Sequence, residues 1–246
     1  MKAKSTLMSV IALMFVIVFA QTAAAYTITP TGTGGTYSGY GPYQTGSGGE
    51  FTLLAGDGLQ WVINNYGADA KNISQSGTFQ SFCLETGEYL YGNTAHSASL
   101  SNATVYGGAG GAVNGKDPIS VGTAWLYSDL AKGTLTGYNY GTGRQTSADA
   151  LQKTIWCLED EQTDPGNTNI FRNAVLNKYG TEAVAKADNN GQYAVMAANM
   201  WENGYLGVNG HQRQDVLVAA TPIPAAAWLL GSGLIGLVMI RRRVSA

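Results

Sequence analysis

The chain is poor in charged side chains and nearly lacks cysteine and histidine. Asp, Glu, Lys and Arg make up 12% of the 246 residues, which is about half the average for globular proteins. The formal net charge is −2, so no basic field exists that would attract nucleic acid. Two histidines, His96 and His211, and two cysteines, Cys83 and Cys157, provide no ligand spacing typical of zinc. We therefore expect no nucleic-acid partner, no metal and no cofactor.

The residues that are abundant favour a β-rich extracellular domain. Gly is present 33 times and Tyr 14 times, and residues of these types, with Thr and Asn, are common in strands and turns. Residues 92–117, rich in Gly, Ala, Ser and Asn, predict a long loop or weak strands. The patterns predict strands within 50–63, 78–91, 192–200 and 214–218, and helices within 118–130, 147–159, 170–178 and 182–187. We predict an α+β fold, a β-sandwich or barrel-like sheet with an inserted helical section.

The N-terminus is typical of a secretory signal peptide. Lys2 and Lys4 provide a positive start, an apolar run covers 7–20, and small residues occupy 23–25. This order predicts cleavage between Ala25 and Tyr26, so that the signal peptide covers 1–25. An uncleaved membrane anchor is the alternative, although the run is short for a membrane span.

The C-terminus combines a proline turn, an apolar helix and a basic stop. Pro222, Ile223 and Pro224 precede an apolar run over 225–240, and the positive-inside rule keeps the basic residues after it in the cytoplasm. The sequence PIPAAAWLLGSGLIGL, followed by Arg241, Arg242 and Arg243, resembles the PEP-CTERM sorting signal, with Ile223 in place of the usual Glu.

This resemblance implies processing by an exosortase-type membrane peptidase. The protein would be exported, anchored in the inner membrane through its C-terminal helix, and moved to the cell surface after processing. An ordinary single-pass anchor would give the same orientation without processing. The domains predicted are a signal peptide over 1–25, an exported α+β domain over 26–218 and a sorting and anchor tail over 219–246.

Two short segments in the body share a second resemblance. Phe82-Cys83-Leu84-Glu85 places a cysteine between apolar neighbours in a predicted strand, and Leu151-Gln152-Lys153-Thr154-Ile155-Trp156 lies on the clearest predicted helix, with Ser147 as its expected cap. Together they resemble the bacterial surface thioester domain. The resemblance implies that the Cys83 sulfur and the Gln152 side chain condense into an internal thioester, which Phe82 and Trp156 would shield from water.

A disulfide between Cys83 and Cys157 is the alternative to the thioester. Cys157 follows Gln152 by five positions on the same predicted helix, and such a spacing turns the two side chains well apart. The helix can therefore present either Gln152 or Cys157 to Cys83, but not both. In an exported chain, two cysteines first suggest one disulfide. Two inert buried thiols are the remaining alternative.

These alternatives lead to different functions. With a thioester, the protein would be a covalent adhesin that reacts once with an amine-bearing surface ligand, without turnover, and would not be an enzyme. With a disulfide, it would be a structural component of a biofilm matrix associated with extracellular polysaccharide. A secreted hydrolase is a third possibility, which needs two carboxylates facing one cleft. We expect the acidic residues to form a solvated face instead: Glu85, Glu88, Glu159, Asp160 and Glu161.

Overall fold

The computed structural model describes residues 25–220, apart from 36, 47, 71–74, 107 and 110–111. The predicted signal peptide, except for Ala25, and the sorting motif with its apolar run and arginines lie outside the described residues. Within the described part of the chain, no helix combines the length and the apolar character that a membrane span needs.

Six strands form one antiparallel sheet in the order β3-β2-β1-β4-β7-β8. A separate two-stranded ribbon pairs β5 with β6. The strands are β1 (Tyr26–Pro30), β2 (Phe51–Ala55), β3 (Thr78–Ser81), β4 (His96–Ser101), β5 (Ala103–Val105), β6 (Lys116–Pro118), β7 (Met196–Glu202) and β8 (Gln212–Val218).

The sheet curls into a half-barrel. The segment directly after β3 reaches the opposite edge strand, where Leu217 N donates to Phe82 O at 3.1 Å and Leu84 N donates to Asp215 O at 3.0 Å. Cys83 lies between these two bonds, in an isolated antiparallel bridge with Val216. The curvature therefore places Cys83 where the two edges of the sheet meet.

The helical section lies between β6 and β7 in the chain. Its α-helices are α1 (Val121–Lys132), α2 (Arg144–Leu158), α3 (Ile170–Tyr179) and α4 (Glu182–Ala185). The order of strands, then helices, then strands confirms the predicted mixture of helix and sheet.

Two polar contacts position α1 and α2 on the sheet. The fully buried Tyr127 of α1 places its hydroxyl 2.8 Å from Gln80 O and 2.9 Å from Leu217 O, at the two meeting edges. Arg144 of α2 donates from Nε to the buried Glu50 carboxylate at 2.8 Å. Arg144 is the first residue of α2, so this ion pair fixes the start of the helix against the sheet. Because the helix begins three residues before Ser147, the prediction that Ser147 caps it was wrong.

Two other local predictions were wrong. Residues Gln60–Asn65 form a 3₁₀ helix rather than a strand, because Leu59 and Val62, three apart, both turn into the core. Residues 89–91 lie outside the strands, although Tyr89 O accepts a hydrogen bond from Gln214 N at 3.1 Å. In the stretch predicted as a long loop or weak strands, the structure has strands, of which β4 pairs with both β1 and β7.

Candidate functional site

The side chain of Gln152 meets the backbone of Cys83 in the interior of the protein. Gln152 Oε1 accepts hydrogen bonds from Cys83 N and from Gly49 N, each at 3.1 Å. Gln152 Nε2 donates to Cys83 O at 2.8 Å. The amide is only 1% exposed, so these three bonds fix both its position and its orientation. The structure thus brings together the two residues that the thioester resemblance singled out.

A glycine pair covers this contact from the other side. Gly48 and Gly49 have φ angles of +96° and +106°, which side chains rarely tolerate. A Cβ on Gly48 would lie 2.6 Å from Cη2 of Trp156 and 2.9 Å from Cγ of Gln152. The backbone of Gly48 therefore packs directly on both side chains, and Gly49 supplies the second N–H to the Gln152 carbonyl. The composition of this Gly-rich lead-in did not reveal that role.

The two residues expected to shield the site differ in position. Trp156 follows Gln152 by one helical turn, is 7% exposed, and lines the same cavity as Cys83. Phe82 is fully buried in the hydrophobic core, and successive side chains of an extended segment point to opposite sides. Trp156 and the Gly48 backbone therefore form the immediate cover of the Gln152 amide.

The cavity beside Cys83 has a volume of about 470 Å³. Tyr40, Phe51 and Leu90 contribute to its walls. Tyr37 and Tyr89 also line it, although more than half of each of these residues is exposed. This size is within the range of small-molecule sites, and the exposed tyrosines connect the cavity with solvent.

The arrangement around Gln152 suits attack on its carbonyl carbon. Two N–H groups aimed at one carbonyl oxygen stabilise the negative charge that develops there during acyl transfer. The nucleophile is held back by its environment, because burial raises the pKa of the Cys83 thiol and the nearby charge of Glu88 raises it further. In a condensation of Cys83 with Gln152, the thiol proton would therefore leave during the attack rather than before it.

Cys157 lies on a different side of α2. It is a free, buried thiol, as is Cys83, and the two are not joined in a disulfide. Burial raises the pKa of Cys157, and the charges that act on it belong to Glu182, Lys186, Asp164 and Arg172. The helix thus presents Gln152, not Cys157, to the backbone of Cys83.

The acidic residues do not form the solvated face that we expected. Glu85 is 1% exposed, Glu159 and Glu161 are also buried, and only Asp160 lies at the surface. Glu159 accepts from the Ser120 hydroxyl at 2.7 Å, so it helps to join α1 to α2. Glu161 accepts from Thr86 N at 2.7 Å.

Glu85 and the half-buried Glu88 converge on Asp215 of β8, which the sequence did not associate with them. Burial, followed by the charge of Glu85, raises the pKa of Glu88 to about 8. Burial and the neighbouring acidic groups also raise the pKa values of Glu85 and Asp215, so each carboxyl of the cluster makes ionisation of the others less favourable.

Comparison of the chain with protein-family models, with curated proteins and with solved structures finds no match, so the function of this site rests on the chemistry of its own residues.

Proposed function

We propose that this protein is an exported covalent adhesin that carries an internal thioester between Cys83 and Gln152. The observation that carries the proposal is the burial of the Gln152 amide against Cys83, with two backbone N–H groups on its carbonyl oxygen. A buried glutamine held in this way has its acyl carbon polarised and its leaving nitrogen fixed. The resemblance of both segments to the bacterial surface thioester domain supports the same chemistry.

The condensation is balanced without another reactant. The Cys83 sulfur adds to the Gln152 side-chain carbonyl carbon, and a carbon–sulfur bond replaces the carbon–nitrogen bond. The amide nitrogen departs as ammonia and carries away the thiol proton. Trp156 and the Gly48 backbone then exclude water from the thioester.

The cavity offers a route for the partner. A primary amine that enters it can attack the thioester carbon, form an amide with the former Gln152 side chain and return a proton to the Cys83 thiol. Tyr37 and Tyr89 expose aromatic surface along this cavity, and aromatic rings attract ammonium groups. A lysine side chain of a surface protein fits this route. Each molecule reacts once, so the process is adhesion and not enzymatic turnover.

The sequence at the two ends of the chain supports a cell-surface location for this chemistry. The signal-peptide pattern of 1–25 and the PEP-CTERM-like order of Pro222, Pro224 and the three arginines support export, membrane anchoring and processing by an exosortase-type peptidase. In this proposal, the domain is thioester-domain-like: its sheet is barrel-shaped, and its helical section is inserted between β6 and β7. A role in biofilm attachment follows if the amine belongs to a matrix component.

The intact mass of the purified chain tests the proposal. Thioester formation removes ammonia and lowers the mass by about 17 Da, whereas a disulfide lowers it by about 2 Da. Each mass is compared with the value calculated for the termini that the sample carries. We expect the larger loss in the wild type and none in Gln152→Glu, which has no amide nitrogen to expel.

Gln145→Glu is the matched control. Gln145 lies on the same helix, is exposed, and donates only to Pro42 O, at 2.9 Å. This variant should retain the full loss of mass. An unchanged wild-type mass, or a loss of about 2 Da, would overturn the proposal.

A further inference from the structure

A second site lies next to the thioester pair, where three carboxylates converge. Glu85, Glu88 and Asp215 each offer an oxygen atom, and the three atoms lie within 4.8 Å of one another. Glu85 and Glu88 lie two and five positions after Cys83 in the chain, and Asp215 comes from β8, opposite Leu84. The closure of the curled sheet therefore brings together carboxylates that are more than 120 positions apart, as the Asp215–Glu88 hydrogen bond, at a separation of 127, shows.

The described residues give the cluster no positively charged partner. Glu85 is 1% exposed, and its hydrogen-bond partners are the Thr104 hydroxyl, which is also buried, and Glu88. Among the described residues, none of the three carboxylates forms a salt bridge with Lys, Arg or His. Buried carboxylates are normally paired with cations or bound to metal, and no cation of the described residues fills that role here.

Asp215 is already oriented by the backbone. Its Oδ1 accepts from Met200 N at 2.9 Å, and its Oδ2 accepts from Val105 N at 3.4 Å. Glu88 Oε2 accepts from Asp215 N at 3.2 Å. Each carboxylate oxygen has a further lone pair for a ligand, and these bonds hold two of the three carboxylates in place before any ion enters.

We propose that Glu85, Glu88 and Asp215 bind one Ca²⁺ ion. Calcium binds carboxylate oxygens at about 2.3–2.6 Å, so two oxygens on one ion lie at most about 5 Å apart, whereas magnesium requires about 2.0–2.1 Å and a strict octahedron. Glu85 and Glu88 also line the 470 Å³ cavity, which gives the ion a path from solvent and room for water ligands. The site does not depend on whether Cys83 and Gln152 react.

Calcium titration of the purified full chain tests the proposal, with isothermal titration calorimetry and with terbium luminescence as a second probe. We expect one saturable site with a dissociation constant of about 10⁻⁴–10⁻³ M, as in extracellular calcium modules. Magnesium should bind at least about tenfold more weakly, because the site lacks a tight octahedral cage.

Glu88→Gln is the main variant because Glu88 is only half-buried and its loss should leave the fold intact. We expect it to weaken calcium binding by about tenfold or more, which corresponds to 1.4 kcal/mol. Asp215→Asn should act in the same direction if it folds. Glu202→Gln, the same exchange at an exposed position on β7, should bind calcium as the wild type does. Absence of saturable calcium binding, or equal affinity in Glu88→Gln and Glu202→Gln, would overturn the site.

Discussion

The two cysteines of this protein are both buried and both free, but their surroundings differ in kind. Cys83 lies at the joint between the two edges of a curled sheet, with a glutamine amide bonded to its own backbone. Cys157 lies on a different side of the helix that carries this glutamine, and the charges that act on it come from Glu182, Lys186, Asp164 and Arg172. Burial raises the pKa of both thiols, so thiol acidity does not distinguish them.

What distinguishes the surroundings of the two cysteines is a nearby carbonyl group that a thiol could attack. A nucleophile becomes reactive through a positioned partner as well as through its pKa. Cys83 has such a partner in Gln152, whose carbonyl oxygen receives two backbone N–H groups. The difference teaches that, in a buried pair of cysteines, the carbonyl that each one faces is a better guide to which could react than its pKa is.

Exchanging each cysteine for alanine should affect covalent labelling in opposite ways. Cys83→Ala removes the nucleophile, so we expect no covalent labelling by a fluorescent primary amine. Cys157→Ala leaves the Cys83–Gln152 contact intact and should label as the wild type does. Denaturing gel electrophoresis with fluorescence detection measures both. Equal labelling of the two variants would contradict the assignment.

The variants Cys83→Ala and Cys157→Ala should also differ in their free energy of unfolding. A thioester would join residues 69 positions apart in the chain, and a cross-link of that length stabilises by about 4 kcal/mol in chain-entropy accounts. Cys157→Ala loses one buried sulfur, which costs about 1 kcal/mol. Urea denaturation measures the free energy of unfolding, and methylamine-treated wild type, whose cross-link is opened, serves as the reference for Cys83→Ala.

A substitution in the cover should weaken the Cys83 site without touching either reacting residue. In Gly48→Ala, the new methyl group meets Trp156 and Gln152 at less than 3.0 Å, so the cover must move and admit water. We expect hydrolysis of the thioester to accelerate by about tenfold, which corresponds to about 1.4 kcal/mol in the barrier. Time-resolved intact mass follows the reaction.

Gly166→Ala controls for backbone strain. Gly166 has a φ of +98°, close to that of Gly48, but its added Cβ meets no atom within 4 Å. Both variants therefore bear the cost of a left-handed alanine, roughly 1–2 kcal/mol, and only Gly48→Ala disturbs the cover. If Gly166→Ala accelerated hydrolysis equally, strain rather than access of water would be responsible.

The contact between Gln152 and Cys83 could be predicted from sequence because each residue lies in a segment with a local signature. Gln152 and Trp156 lie four apart on a helix whose period is visible in the residues around them, and Cys83 lies in a short apolar run. The relative position of the two segments follows from one further fact, that the helical section packs where the sheet closes.

The cover and the acidic cluster could not be predicted, for physical reasons. Gly48 and Gly49 act through backbone geometry, which a Gly-rich stretch does not reveal. Glu85 and Asp215 meet only because β8 pairs with the segment after β3, a long-range contact that no local pattern carries. Similarly, β4 contains little apolar surface and is a strand because β1 and β7 bond to it on both sides.

A separate effect concerns Glu159, which lies two residues after Cys157. Burial raises the pKa of Glu159 to about 7 from an ordinary value near 4.5, so between these pH values the folded protein holds a proton that the unfolded chain releases. The free energy of unfolding should therefore fall as pH rises from about 4.5 through 7 and level off above it, by at most about 3.4 kcal/mol from this residue. Urea denaturation across this pH range measures the slope.

Glu159→Gln isolates that contribution, because glutamine can still accept from Ser120 but does not titrate. The variant should lose the Glu159 part of the pH slope and leave amine labelling at Cys83 unchanged, since Glu159 bonds to the start of α1 and not to the cavity. A slope identical to that of the wild type would mean that Glu159 is ionised in the folded protein. Altered labelling would show that the Cys157 end of α2 influences the site at its Gln152 end, and the contrast between the two cysteines would then be one of degree.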